Sequence, residues 1–124
     1  MYIMTSFFSP CSKSSCQEPP KLSVPPDTLC AHEGDMAQFH CVLTGCPPPE
    51  VRWYHNGTLI ETGNQRKRLV TNSFPFSQSQ ITVCTLSIAE VSATDIGNYQ
   101  CFGNNTEGSI QSQIVQLKTH GTLV

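Results

Sequence analysis

Apolar and polar side chains alternate along several short stretches of this chain, as they do in half-buried β-strands. The two clearest stretches span residues 36–43 and 81–88. Their inward-facing positions are Ala37, Phe39, Cys41, Cys84, Leu86 and Ile88. No stretch carries apolar residues at helical spacing. The pattern therefore predicts an all-β fold.

Prolines and glycines divide the chain into many short strands. We expect an edge strand at 19–24 that ends at Pro25-Pro26, because proline cannot donate to a β-ladder, and we expect residues 28–32 to continue that edge. Asn56-Gly57 predicts a tight hairpin turn, since both residues tolerate positive φ. Further strands are expected at 58–60, 66–71 and 110–117, the last with a bulge between Ile114 and Val115. Short strands separated by turns favour a two-sheet sandwich.

Composition is that of one ordinary domain. The chain has 124 residues, of which 38% are hydrophobic, enough for a single two-sheet core. Its net charge of −2 gives no electrostatic reason to expect nucleic acid or an anionic membrane as partner. No apolar run approaches the ~18 residues of a membrane-spanning helix. We therefore expect a protein partner and no membrane span.

The chain is predicted to have three parts: a disordered N-terminal leader at 1–18, one domain at 19–118 and a C-terminal tail at 119–124. The leader is rich in serine and has no periodicity. It lacks the basic start of a secretory signal, so no cleavable signal peptide is predicted. Its Cys11 and Cys16 have no second pair of metal ligands nearby, so no zinc site is expected.

Four motifs follow one another along the predicted domain. They are Glu33-Gly34-Asp35, Gly45-x-Pro47-x-Pro49-x-Val51-x-Trp53-Tyr54-x-Asn56-Gly57, Leu86-x-Ile88-x-x-Val91-x-x-x-Asp95-x-Gly97-x-Tyr99-x-Cys101, and Asn105-x-x-Gly108. On these motifs, segment 19–118 resembles the intermediate-set (I-set) immunoglobulin family. Within that family it resembles the modules of muscle and cytoskeletal proteins of the titin and myosin light-chain kinase type.

The resemblance implies a Greek-key sandwich of two sheets with a shared core. It implies that Cys41 and Cys101 face each other across the sandwich, that Trp53 packs on them, and that Leu86 lies in the core. A disulfide between the two cysteines would close a loop of about sixty residues, which stabilises a fold by on the order of 4 kcal/mol. In a reducing compartment both would instead be core thiols.

The resemblance also implies a fixed corner before the second cysteine. The Tyr99 hydroxyl would bond to the backbone near the preceding turn. Asp95 would pair with a base at the start of a neighbouring strand, for which Arg66 and Arg68 are the candidates.

The seven cysteines favour a reducing compartment, because an odd number cannot all pair within one chain. We therefore expect a cytoplasmic, cytoskeletal location, with an extracellular or cell-surface location as the alternative. Asn56 and Asn104 each begin an Asn-x-Ser/Thr triplet on an expected turn. Both are candidate glycosylation sites if the chain enters the secretory pathway.

Catalysis is not predicted. The four histidines are scattered over different strands, and the sequence has no phosphate-binding loop, HExxH motif or paired carboxylates. His40 and His55 fall on outward positions and are expected in solvent. We predict no catalytic residue, no metal site and no cofactor.

The candidate interface lies on the strands that carry Trp53 and Tyr99. Alternation there sends four side chains outward: Arg52, Tyr54, Gln100 and Phe102. A Tyr–Phe pair beside an arginine has the composition of an interaction hot spot. A free sheet edge would offer a second route, the addition of a strand from the partner, although Pro25-Pro26 blunts one edge.

The sequence therefore predicts a non-catalytic protein-interaction or scaffolding module of a cytoskeletal or sarcomeric protein. Its expected partner is another immunoglobulin domain or a cytoskeletal protein. Two alternatives stay open. One is an extracellular, glycosylated and disulfide-bonded adhesion or receptor domain, and the other is an accessory domain that targets a larger kinase.

Overall fold

The computed structural model describes residues 16–63 and 65–119. Its strands are β1 Glu18–Val24, β2 Leu29–Ala31, β3 Ala37–Cys46, β4 Glu50–His55, β5 Thr58–Leu59, β6 Lys67–Phe76, β7 Ser79–Ile88, β8 Gly97–Asn105, β9 Gly108–Gln111 and β10 Val115–Thr119. A one-turn 3₁₀ helix, Ala93–Asp95, precedes β8. The predicted leader up to residue 15 and the predicted tail from residue 120 lie outside the described residues. In the described part of the chain, no helix is both long and apolar enough to cross a membrane.

The strands form two sheets packed face to face, which confirms the predicted sandwich. The four-stranded sheet has the order β1-β3-β7-β6, and each neighbouring pair is antiparallel. The larger sheet has the order β2-β10-β8-β4-β5, with β9 also paired to β8. The chain passes repeatedly from one sheet to the other, so some strands that are distant in sequence, such as β3 and β7, lie side by side.

The apolar faces of the two sheets meet in one core. The four-stranded sheet contributes the alternating buried positions of β3 and β7, such as Phe39 and Leu86. The larger sheet contributes Trp53, Tyr99 and Leu117, each no more than 1% exposed. Large aromatic side chains bury ~150–250 Å² each, so Trp53 and Tyr99 account for much of the apolar area that holds the sheets together.

The sequence predicts that the segment after Pro25-Pro26 continues the edge of β1, and this prediction is wrong. Instead, β2 lies in the larger sheet and pairs in parallel with β10, from Leu29–Leu117 to Ala31–Thr119. Proline interrupts the ladder of the first sheet, and Pro26 is buried where the chain crosses between the sheets. Pro25-Pro26 therefore ends the first strand as predicted, and the chain changes sheet at this point.

β6 is longer than the strand predicted at 66–71. It pairs with β7 residue for residue up to the contact of Phe76 with Ser79. Its last half contains Asn72, Ser73 and Pro75, residues typical of loops. Both faces of this half are exposed. Polar residues therefore fit the strand.

The proline in β6 is tolerated because of its place in the ladder. The Ala89 N–H donates to the Arg66 carbonyl at 2.8 Å, and the register with β7 is unbroken from Lys67 onward. Because bonded positions alternate in an antiparallel pair, the backbone of Pro75 faces away from β7. The ladder therefore loses no bond, and the missing N–H falls on the free edge.

The final strand is interrupted near the predicted bulge. β9 ends at Gln111 and β10 begins at Val115. Between them, Ser112 is buried, and its backbone N–H donates to the Cys101 carbonyl at 2.9 Å while its hydroxyl accepts from the Cys101 N–H at 3.1 Å. Ser112 thus replaces the ladder locally and keeps the strand close to β8.

Candidate functional site

Aromatic side chains from both sheets meet at the centre of the sandwich. The Phe39 ring centroid lies 5.7 Å from that of Trp53 and 4.7 Å from that of Tyr99. The Trp53 indole N–H donates to the Cys84 sulfur at 3.3 Å. The polar atom of the buried tryptophan is therefore satisfied by Cys84, a cysteine beyond the pair that the family resemblance implies.

Three buried thiols lie together beside this cluster. The sulfurs of Cys41 and Cys101 are 3.3 Å apart, and Cys84 is the register partner of Cys41 across β3 and β7. All three are free thiols in this structure, so the Cys41–Cys101 disulfide stays a prediction. Hydrogen bonding with Cys101 and with Cys84, together with burial, raises the pKa of Cys41 above its ordinary value.

The disulfide that the structure contains joins Cys16 to Cys46, whose Cα atoms are 5.3 Å apart. It fastens the residues before β1 to the end of β3. The loop-entropy relation for a loop of about 30 residues gives a stabilisation of about 3–4 kcal/mol. This bond is not predicted from the sequence, because Cys16 falls in the expected leader and because cysteine spacing alone does not give connectivity.

Asp95 and Tyr99 hold the turn that leads into β8. The Tyr99 hydroxyl donates to the Asp95 carbonyl at 2.6 Å, and the Ser92 N–H donates to the Asp95 carboxylate at 2.9 Å. Of the two candidate bases, it is Arg66 that forms the ion pair with this carboxylate. Burial, and then the nearby carboxylate, raises the pKa of Tyr99. The corner is thus fixed by one hydroxyl and one buried carboxylate.

The sequence predicts that the His55 side chain lies in solvent, and this prediction is wrong. It is half-buried, its ring stacks on Tyr99 with centroids 4.5 Å apart, and its Nε2 lies 3.1 Å from the Ile96 carbonyl. His40 does face outward and lies 3.0 Å from the Thr85 hydroxyl. His55 is therefore part of the corner around Tyr99.

The candidate interface residues do lie together on the outward side of the larger sheet. Register places Arg52 opposite Phe102 and Tyr54 opposite Gln100 on β4 and β8. The Tyr54 and Phe102 rings pack edge to face with centroids 4.8 Å apart. Arg52 is exposed and pairs with Glu50 at 3.2 Å. We call this surface the Tyr54–Phe102 face.

Ile114, which is not among the predicted interface residues, adds an apolar side chain to this face. It is 58% exposed, in the interruption between β9 and β10. A surface depression of about 260 Å³ joins it to Tyr54, Gln100 and Asn98. The Gln100 amide donates to the Ser112 carbonyl at 2.7 Å, which fixes that side of the depression. The break in the final strand could have drawn attention to Ile114.

The two asparagines of the glycosylation triplets differ in their surroundings. Asn56 and Gly57 have φ of 51° and 85°, the geometry predicted for the turn. The Asn56 side-chain oxygen accepts from the Asn98 N–H at 2.9 Å and occupies the space beside Gly97, where an added Cβ would lie 2.6 Å from it. Asn104 is exposed on β8. Glycosylation stays a prediction at both, with Asn104 the freer side chain.

No cluster of three or more His, Cys, Asp or Glu residues that could hold a metal occurs within 16–63 and 65–119.

Comparison with known proteins gives one consistent family. A family model described as an immunoglobulin domain matches residues 19–105. The chain is 38% identical to mouse myopalladin over 93 residues, which are 75% of this chain and 7% of that protein. It is 31% identical to the Xenopus laevis protein "Cell adhesion molecule-related/down-regulated by oncogenes" over 94 residues, which are 76% of this chain and 6% of that protein.

Solved structures agree on the fold. A chain in the crystal structure of a mutant titin M10–obscurin-like 1 Ig complex superposes with a TM-score of 0.67 at 24% identity, covering 82% of this chain and 92% of that chain. The present chain spans less than a tenth of the length of the two curated relatives.

Proposed function

Because the chain belongs to the immunoglobulin domain family, we propose that it is a non-catalytic protein-interaction module of a cytoskeletal or sarcomeric protein. Similarity to mouse myopalladin over 75% of the chain supports the muscle class. The proposal rests on one surface, the Tyr54–Phe102 face.

The aromatic pair is what carries this proposal. Tyr54 and Phe102 are both half-buried and lean on each other edge to face. Such a pair presents a rigid apolar surface and loses little side-chain entropy on binding. Arg52 at 56% side-chain exposure and Ile114 at 58% flank it. Aromatic residues beside an arginine are enriched among residues that dominate binding energy.

The proposed mechanism is rigid presentation. β4 and β8 pair over six consecutive positions from Glu50–Asn104 to His55–Tyr99, and the core behind them is filled by Trp53. A partner would therefore meet a preformed surface. We propose another immunoglobulin domain as the partner, on the analogy of the titin M10–obscurin-like 1 complex.

The test is retention of muscle proteins by the tagged chain. We expect immunoglobulin-domain proteins to be recovered from striated-muscle extract by the wild-type chain, and Tyr54→Ser or Arg52→Glu to lower that recovery at least about fivefold. Val70→Ser is the matched control, because Val70 is 50% exposed on β6, in the other sheet. Equal recovery by all four proteins would exclude the Tyr54–Phe102 face.

An extracellular adhesion domain is the second candidate, and the Cys16–Cys46 disulfide is the observation that favours it. Disulfides persist mainly in oxidising compartments. The relative from Xenopus laevis that is named for cell adhesion supports the same class.

Intact mass of the protein from its native source separates the two candidates. A cytoplasmic chain will show no glycan and a full set of seven alkylatable thiols. An extracellular chain will carry glycan mass, lost in Asn104→Gln, and fewer alkylatable thiols. Glycan mass on the native protein would overturn the cytoskeletal proposal.

A further inference from the structure

The outward side of the four-stranded sheet reverses the usual polarity near the β6–β7 turn. An antiparallel sheet with one face on the core normally carries polar residues on the other face. Here the inward positions include Thr82 and Ser73, whose hydroxyls lie 3.0 Å apart. Of the outward positions beside them, Phe74, Ile81 and Val83 are apolar and Asn72 is polar.

Register joins these outward side chains to others across the sheet. Val83 lies opposite Val42, and Val42 lies opposite Val24, so one row crosses β7, β3 and β1. Ile81 lies opposite Phe74 in the next row. Opposed side chains on antiparallel strands have Cβ atoms about 4.5–5.5 Å apart, so the five form one surface. We call it the outer apolar face: Val24, Val42, Phe74, Ile81 and Val83.

The two ends of this face are exposed to solvent, and its centre, Val42, Ile81 and Val83, is half-buried. Val24 is 50% exposed and Phe74 52%, and Phe76 at 58% extends the surface towards the turn. A depression of about 400 Å³ lies on the same side of the sheet, with Met36 and Val70 in its wall. Contiguous exposed apolar surface of this kind marks interaction sites.

The charged residues of the four strands are mostly basic. Lys21 lies in the same row as Phe74 at the β1 edge, and Arg68 projects outward from β6 near the opposite corner. Both are exposed, and neither has an ion-pair partner among the residues that the structure describes. Glu18 is the one acidic residue in the four strands.

These charges decide between possible occupants. A second copy of the chain would bring apolar residues but also the same unpaired cations, and like charges across an interface oppose association. A partner with carboxylates would pair with them. Charge complementarity therefore favours a different protein with acidic residues at the edges of its apolar patch.

We propose that the outer apolar face is a second binding surface, which takes an extended protein segment whose apolar side chains are flanked by carboxylates. The apolar side chains cover Val42, Ile81 and Val83, and the carboxylates pair with Lys21 and Arg68. This surface lies on the opposite side of the sandwich from the Tyr54–Phe102 face, so the chain can hold two partners at once.

The test uses a synthetic peptide that alternates glutamate with phenylalanine and valine, added to the isotope-labelled full chain. We expect amide shifts in β1, β3, β6 and β7, with binding that weakens as salt is raised. The same peptide with lysine for glutamate should bind at least about fivefold more weakly. A peptide that alternates glutamate with serine should not bind, because it lacks the apolar side chains.

Three variants keep the test independent of folding. Lys21→Glu with Arg68→Glu changes two exposed side chains and should weaken the glutamate peptide at least about fivefold while strengthening the lysine peptide. Phe74→Ser should weaken both peptides. Phe102→Ser should leave the binding of both peptides unchanged. The variants therefore distinguish a loss of binding at the outer apolar face from a loss of binding at the Tyr54–Phe102 face.

Three results would overturn the inference. Shifts that cluster on β4 and β8 would place the peptide on the other face. Equal binding of the glutamate and lysine peptides would remove the role of Lys21 and Arg68. Concentration-dependent shifts of Val42 and Val83 without any peptide would show that a second copy of the chain occupies the face.

Discussion

The two outward faces of the sandwich hold their aromatic side chains in opposite ways. On the larger sheet, Tyr54 and Phe102 pack edge to face and are half-buried. On the four-stranded sheet, Phe74 and Phe76 are 52% and 58% exposed. The first pair is stabilised inside the domain before any partner arrives. The second pair has apolar surface that nothing in the described residues covers.

The difference follows from what lies behind each face. Behind Tyr54 and Phe102 the strands are supported by Trp53 and the filled core. Behind Phe74 the inward position Ser73 is exposed, although its register partner Thr82 is buried. The same fold therefore holds one aromatic pair within the domain and leaves the other pair more accessible to a partner.

The largest expected effect comes from removing the support that both faces share. Trp53→Ala should lower the free energy of unfolding by about 3–5 kcal/mol, because it leaves a large cavity at the centre of the core. Urea unfolding followed by far-UV circular dichroism measures this, since Trp53 is the chain's one tryptophan and fluorescence is lost with it. Trp53→Phe should cost less. A loss below about 1 kcal/mol in Trp53→Ala would contradict a tightly filled core.

The next effect should act on the corner beside the Tyr54–Phe102 face. Asp95→Ala removes the ion pair with Arg66 and the acceptor for the Ser92 N–H. Because the carboxylate is buried and bonded, we expect a loss of about 2–3 kcal/mol in urea unfolding. Glu50→Gln is the control, since its ion pair with Arg52 is exposed and should change stability by less than about 0.5 kcal/mol. Equal losses of unfolding free energy in Asp95→Ala and Glu50→Gln would show that the buried contacts of Asp95 stabilise the domain no more than an exposed ion pair does.

The sequence predicts the core well because burial and period 2 coincide there. The alternation of Phe39 and Cys41, and of Leu86 and Ile88, has the same period as a strand, and the structure buries all four. Asn56-Gly57 is likewise predictable, because its chemistry determines its own turn. Such features depend on neighbours within a few residues.

Features that depend on distant residues are missed. Pairing with β7 makes a strand of Asn72 and Ser73, which locally resemble a loop. The position of β2 depends on β10, about 88 residues away in the chain. The Cys16–Cys46 bond and the stacking of His55 on Tyr99 also require the folded arrangement. The outer apolar face was missed for the same reason, since its rows exist only after register is known.

The two aromatic pairs can be compared directly by truncation. Tyr54→Ser with Phe102→Ser should cost about 1–2 kcal/mol, because it removes both an edge-to-face contact and half-buried apolar area. Trp53 fluorescence during urea unfolding gives the value, and the well-resolved amide spectrum of the variant shows that it still folds. No measurable cost would mean that the pair is not stabilised inside the domain and that the contrast with Phe74 and Phe76 is unfounded.

The smallest effect should come from the matched change on the other face. Phe74→Ser with Phe76→Ser should alter the free energy of unfolding by no more than about 0.5 kcal/mol, because more than half of each side chain is already in solvent. Binding of a hydrophobic dye should fall at the same time, whereas Phe74→Tyr should leave both quantities nearly unchanged. A cost as large as that of the Tyr54–Phe102 variant would show that the phenylalanines pack within the domain. In that case the side chains of the outer apolar face stabilise the domain by packing within it, and their surface is not available to an acidic partner.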